Sequence, residues 1–222
     1  MLTPTVFELA FETNNPITFL AGQFASIVIP GAGPKGRDLR RAYSIASSPE
    51  VRPIELCVKI FEDGPGTQYL NRLRPGDTFR AFAPYGDFVF RPKEGRNACF
   101  ISTGTGIAPF RSMILSDYFQ QNQPPRIYSM LGVRTEDELL YQELIPQFPD
   151  IQFINALSKA PDSWGGFKGR VTDYIRSLSP DFPWLETEYY LCGHGSMISE
   201  VKNFLWEKGI TRESIHQEIY YK

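Results

Sequence analysis

The chain has 222 residues, enough for one large domain or two small ones, and its 42% hydrophobic and 22% charged residues are those of an ordinary globular protein. A net charge of −2 excludes a polybasic strategy toward nucleic acid or an anionic membrane. Three scattered cysteines, Cys57, Cys99 and Cys192, form no CxxC pair, which argues against a cysteine zinc site, a protein-bound iron–sulfur cluster and a disulfide framework.

The opening MLTPTVFELAFETNN lacks the basic and apolar regions of a secretory signal. No stretch reaches the roughly 18 apolar residues of a membrane-spanning helix, so a soluble, cytoplasmic protein is expected. Up to about residue 90 the chain reads as short strands broken by Gly and Pro: 6–12, 24–29, 41–46, 54–61 and 78–82. A short helix is expected at 68–73, stopped by Pro75 and Gly76. Many short strands with turn signals predict an antiparallel barrel or sandwich.

Past Arg91-Pro92-Lys93-Glu94-Gly95 the rhythm changes. Residues 98–102 form an apolar run leading through a glycine turn into a helix at 109–121. A strand at 126–133 precedes an acidic helix start at Glu136 and Asp137, and the pattern repeats over 151–158 and 170–178. Residues 189–192 lead into 196–208, where Met197, Ile198, Val201, Phe204 and Leu205 share one helical face. Residues 214–220 read as a fifth strand. Strand and helix alternating in this way predict a parallel sheet with helices on both faces. The expected domains are 1–95 and 96–222.

Three segments carry chemistry. Thr103-Gly104-Thr105-Gly106-Ile107-Ala108-Pro109 follows a strand and opens a helix, the setting in which free N–H groups and a helix dipole receive phosphate. It is not the GxGxxG fingerprint, and no acidic residue follows at the distance that holds a ribose diol. Arg41-Ala42-Tyr43-Ser44 puts a cation, an aromatic ring and a hydroxyl on one strand. Gly64-Pro65-Gly66-Thr67 opens the short helix with a second phosphate-ready start, or a plain loop with a capping Thr. No Ser–His–Asp set or His/Cys ligand cluster is visible, so no metal is expected.

Taken in order, these segments resemble the ferredoxin–NADP reductase family over essentially the whole chain. Arg41-Ala42-Tyr43-Ser44 is similar to its RxYS flavin motif, Gly66-Thr67 to its flavin pyrophosphate loop, and Thr103 to Pro109 to its GTGxAP turn. Gly132-Val133-Arg134 with Tyr141 resembles GxRxxxxLxY, Cys192-Gly193 the CG pair, and Glu218-Ile219-Tyr220 the acidic–aromatic ending. The resemblance implies an N-terminal Greek-key barrel holding FAD and a C-terminal α/β domain holding NADPH, with NADH as the alternative.

By resemblance, Arg41 pairs with the FAD pyrophosphate, Tyr43 stacks on the isoalloxazine and Ser44 reaches its N5 edge. The backbone of Cys57, Val58 and Lys59 lines the flavin, and Gly66 and Thr67 hold phosphate. Thr103, Gly104, Thr105, Gly106 and Pro109 form the dinucleotide turn. Arg134, Ser158 and Lys159 stand where a 2′-phosphate would lie, and Cys192 and Gly193 lie near the nicotinamide. Glu218 is a polar partner of Ser44 or of the nicotinamide, and Tyr220, or else Tyr221, caps the flavin. The implied activity is hydride transfer between NAD(P)H and FAD, with electrons exchanged with ferredoxin or flavodoxin. The alternatives are the reductase component of an oxygenase, serving its iron–sulfur partner, or a flavin-binding electron-transfer subunit without turnover of its own. Both histidines, His194 and His216, read as incidental.

Overall fold

The computed structural model describes residues 1–221, the last by its backbone alone. By contacts the chain divides into two units: residues 1–90 with 108–120, and residues 91–107 with 121–222.

The first unit is built on two antiparallel sheets. Strand β1 (Val6–Phe11) pairs with β4 (Ile54–Lys59). Strand β2 (Phe24–Ile29) lies between β3 (Leu39–Ser44) and β5 (Ala81–Tyr85). A bridge between Ile45 and Leu56 links the sheets. Alternation on β2 turns Ala25, Ile27 and Ile29 into a core shared with Phe7, Ile54 and Leu56. Each fully buried Ile or Leu there contributes about 1.5–3 kcal/mol. Helix α1 (Pro65–Arg72) buries Leu70 against the same core.

Helices α2 (Ala108–Leu115) and α3 (Asp117–Gln121) also pack within this unit. Phe110 lies against Phe88 and Phe119 meets Phe90 edge-on, with ring centroids 5.8 and 4.7 Å apart. Arg111 pairs with Glu55 at 2.6 Å, and the Ser112 hydroxyl donates to the carbonyl of Ser47 at 2.7 Å. The single helix expected at 109–121 is broken at Ser116. Its hydroxyl donates back to the Met113 carbonyl and accepts from the Phe119 amide, ending one helix and capping the next.

The second unit is a parallel sheet with strand order β11-β10-β6-β7-β8-β9. The strands are β6 (Asn97–Thr103), β7 (Ile127–Val133), β8 (Ile151–Leu157), β9 (Phe167–Lys168), β10 (Thr187–His194) and β11 (Ile215–Tyr221). There are six strands where five were expected, because β9 has only two residues and carries no readable period. Helices α5 (Val171–Ser177) and α6 (Gly195–Glu207) cover one sheet face through Val171, Ile175, Ile198 and Val201, over Cys99, Ile101, Tyr189 and Leu191. The acidic start at Glu136 yields only a short 3₁₀ turn, and helix α4 (Leu144–Gln147) is a single turn. Among the described residues no helix is long and apolar enough to cross a membrane.

Candidate functional site

In the first unit, Arg41 and Tyr43 lie on β3, opposite Ile27 and Ala25. Two residues apart on a strand, they share a face. Both meet the start of α1: a Cβ on Gly66 would lie 2.8 Å from the Tyr43 hydroxyl and 3.0 Å from Cγ of Arg41. Any larger residue there would push the Tyr43 hydroxyl and the Arg41 stem aside. The first N–H groups of α1 have no partners within the helix, and they stand beside an exposed guanidinium and a half-buried phenol. That cradle fits a phosphate joined to an aromatic ring system, which is the chemistry FAD presents. Ser44 follows on β3 and is buried; Val58 is buried and Lys59 half-buried at the end of β4.

Thr67 is tied into the loop before α1. Its hydroxyl accepts from the Phe61 amide at 3.1 Å and donates toward the Gly64 and Phe61 carbonyls at 3.1 and 3.3 Å. These contacts pin the start of the helix.

In the second unit, residues 103–106 leave the C-terminal end of β6 as a tight turn. Gly104 has φ +51°, and Thr105 and Gly106 are buried. A Cβ on Gly106 would lie 2.3 Å from the Cys192 carbonyl oxygen, and one on Gly193 would lie 2.3 Å from the Thr103 hydroxyl. Turn and CG pair are thus packed backbone to backbone at the ends of adjacent strands, where open α/β sheets bind ligands. Thr103 accepts from the His194 amide at 3.1 Å. His194 caps α6 by accepting from the Ser196 amide through Nδ1 at 3.2 Å. Pro109 is buried early in α2, among the residues packing with the first unit.

Cys192 is fully buried, and burial pushes its thiol well above the usual cysteine range. The nearby Glu218 charge raises it further, while the neighbouring Tyr220 hydroxyl opposes the shift. Glu218 is the register partner of Cys192. A slip at Gly193/His194 makes Tyr220 an extra residue on β11. So Cys192, Glu218 and Tyr220 come together; the Tyr221 side chain and Lys222 lie outside the described residues.

Arg134 follows β7 and Ser158-Lys159 follow β8, both at strand C-terminal ends. The Arg134 fork is closed on Glu138: Nη2 and Nε donate to one carboxylate oxygen at 2.7 and 3.1 Å, and the Arg134 amide donates to the other at 3.0 Å. This pair holds the guanidinium in its charged form more firmly than usual. Lys159 is exposed, with no ion pair among the described residues. Sequence reasoning missed Glu138. Its signal is an i,i+4 acid after Arg134.

Two family descriptions match the chain: "Oxidoreductase FAD-binding domain" over residues 3–90 and "Oxidoreductase NAD-binding domain" over residues 100–203. A ferredoxin–NADP reductase B of Sorangium cellulosum is 33% identical, covering 99% of this chain and 93% of that protein. The phenol hydroxylase P5 protein of Acinetobacter pittii is also 33% identical, over 98% of this chain but 62% of its own length. Among solved structures, the Amycolatopsis cytochrome P450 reductase GcoB superposes with a TM-score of 0.87 at 25% identity, covering all of this chain and 67% of that one. A ferredoxin NADP+ reductase from Neisseria gonorrhoeae shares the fold, with a TM-score of 0.81 at 22% identity over 98% of this chain and 94% of that one.

Proposed function

Because this chain belongs to the ferredoxin–NADP reductase family and is an NAD(P)H–flavin oxidoreductase of that type, we propose that it works as a ferredoxin– or flavodoxin–NADP reductase. Residues 1–95 take FAD and residues 96–222 take the dinucleotide. The observation that supports this most is the turn at residues 103–106 seated against Cys192 and Gly193, a dinucleotide cradle with nicotinamide-side residues beside it.

FAD, when bound, supplies the hydride acceptor and converts a two-electron donor into single electrons. The chain's own residues bind and orient. Arg41 and the α1 start neutralise the pyrophosphate, Tyr43 offers a stacking face, and Ser44 a hydroxyl at the reacting edge. Gly104 and Gly106 admit the dinucleotide backbone, and Thr105 donates to it. Hydride transfer needs the donor and acceptor atoms about 3–3.5 Å apart, so positioning is the whole catalytic task. Cys192 is too high in pKa to act as a thiolate nucleophile. It serves as a buried neutral wall, with Glu218 and Tyr220 as the polar and aromatic groups around the nicotinamide.

NADPH is the proposed donor. Arg134 and Lys159 stand at the ends of the second and third strands, and no acid follows the turn to select a free ribose diol. A second reading, the reductase component of an oxygenase, is favoured by the phenol hydroxylase and P450 reductase relatives. Under either reading the partner is an electron carrier working in the cytoplasm.

Stopped-flow reduction of the purified holoprotein by NADPH and NADH, followed by transfer to purified ferredoxins and flavodoxins, tests the proposal. Flavin reduction without transfer to any of these carriers would move the chain to the second reading. Loss of both steps would remove the enzyme assignment.

A further inference from the structure

One cluster in the second unit lies at the opposite end of β10 from Cys192. Glu188 is only 3% exposed and is the second residue of that strand. Its Oε1 accepts from Arg96 Nε at 3.1 Å, while Oε2 is 2.8 Å from Lys93 Nζ and 3.1 Å from Nε2 of His216. Arg96 also donates to the Thr187 carbonyl and the Ser214 hydroxyl at 3.1 and 3.2 Å. The His216 ring stacks on Tyr190, with centroids 4.5 Å apart and planes 18° apart. The Tyr190 hydroxyl in turn bonds the backbone of Arg91.

Residues two apart on a strand share a face, so Glu188, Tyr190 and Cys192 form one row on β10. In register beside it, His216 and Glu218 form a second row on β11. The first row runs about 13 Å along the strand, from the ionic cluster to the candidate site. Strand β11 is an edge strand with β10 as its one neighbour. Its ladder keeps one register from Tyr189 and Ile215 to Gly193 and Ile219 and shifts only beyond them, so a phase fixed at His216 carries to Glu218. A one-residue slip would turn every side chain to the other face.

We infer that Glu188 and His216 are positioning residues: their contact holds β11 in the phase that brings Glu218 and Tyr220 to Cys192. A buried ion pair is a weak source of net stability, and its best-attested use is fixing register. Here Lys93 and Arg96, from one segment, already hold the carboxylate, so His216 on β11 meets an anchored partner. The inference rests on the reading that Cys192, Glu218 and Tyr220 serve the dinucleotide site.

The test needs no bound cofactor. Alkylation of Cys192 and Cys99 is timed in the full chain by mass spectrometry. Both thiols are fully buried in the same sheet, so Cys99 reports general loosening. Glu188→Gln and His216→Leu are expected to speed alkylation of Cys192 at least tenfold relative to Cys99, with His216→Asn restoring the slow rate. Parallel acceleration of both thiols, or of neither, overturns the inference. In the holoprotein, His216→Leu is expected to change oxidised-dinucleotide affinity in the wild-type background and to have no added effect on top of Tyr220→Ser. Full additivity also overturns it. Failure of the wild type to take flavin would strike the functional reading and leave the alkylation result standing.

Discussion

A methyl group placed on Gly106 would lie 2.3 Å from the carbonyl oxygen of Cys192. No real Cβ tolerates that, and the obstacle is backbone, which cannot swing aside. Gly106→Ala is therefore expected to push the turn off β10 and to destabilise the second unit by about 1–3 kcal/mol. NAD(P)H should then reduce the flavin poorly while FAD content stays normal. Melting curves with flavin absorbance on the same sample separate the two effects. An unchanged reduction rate would show that the close packing has no bearing on dinucleotide binding.

Arg41→Ala should act on FAD. Losing a charge-assisted contact with phosphate costs about 1.5–3 kcal/mol, or roughly 10- to 150-fold in affinity. The measurement is FAD titration of apoprotein by fluorescence quenching. Hydride transfer in the holoprotein that survives should change far less.

Glu138 occupies the Arg134 guanidinium proposed to meet a 2′-phosphate. Glu138→Gln is expected to raise the NADPH-to-NADH ratio of kcat/KM about tenfold, by removing the negative charge that closes the fork. Steady-state rates with both donors decide it, and an unchanged ratio would place the 2′-phosphate elsewhere.

Glu188 has its carboxyl lowered to about 2 although burial alone would raise it; hydrogen bonds from His216, Lys93 and Ser214 and the charge of Lys93 outweigh desolvation. A lowered folded-state pKa adds stability that is complete above the unfolded value near 4.5 and is lost as pH falls toward 2. Denaturant midpoints of wild type and Glu188→Gln should differ most above pH 5 and converge toward pH 2. A constant gap would contradict the linkage.

Tyr220→Ser removes the ring proposed to cover the flavin face that nicotinamide needs. Oxidised dinucleotide should bind about tenfold tighter, and turnover should fall where its release is limiting. Flavin difference spectra give the affinity, and no change would leave Tyr220 as a packing residue beside Cys192.

Much of this architecture is legible in the residues. Strand β2 was expected at its observed bounds because Gly22 and Pro30 bracket its apolar run. Strand β5 was expected three residues early because Pro84 reads as a breaker. On a sheet edge a proline has no ladder bond to lose. Strand β3 starts two residues before its expected place: Leu39 is half-buried against the core, while the exposed Arg40 breaks any apolar run. The flavin and dinucleotide motifs are local, so spacing reveals them. The close approaches of Gly66 to Tyr43, Gly106 to Cys192 and His216 to Glu188 join residues far apart in sequence. No spacing predicts those. His194 looked incidental although its capping contact with the Ser196 amide is local, whereas the buried carboxylate that partners His216 meets it only once the sheet has formed.

Helices α2 and α3 leave the dinucleotide turn yet bury Phe110 and Phe119 against Phe88 and Phe90. A gene cut near residue 95 would therefore not release two self-sufficient fragments. The N-terminal piece would carry a bare aromatic seam, and the C-terminal piece an orphaned apolar helix. Shuffling such halves between related reductases should work only when residues 108–120 travel with the N-terminal part, although they are encoded inside the other. This interleaving ties the inheritance of a flavin module to its nucleotide turn, and chimeras designed at the visible motif boundary should aggregate.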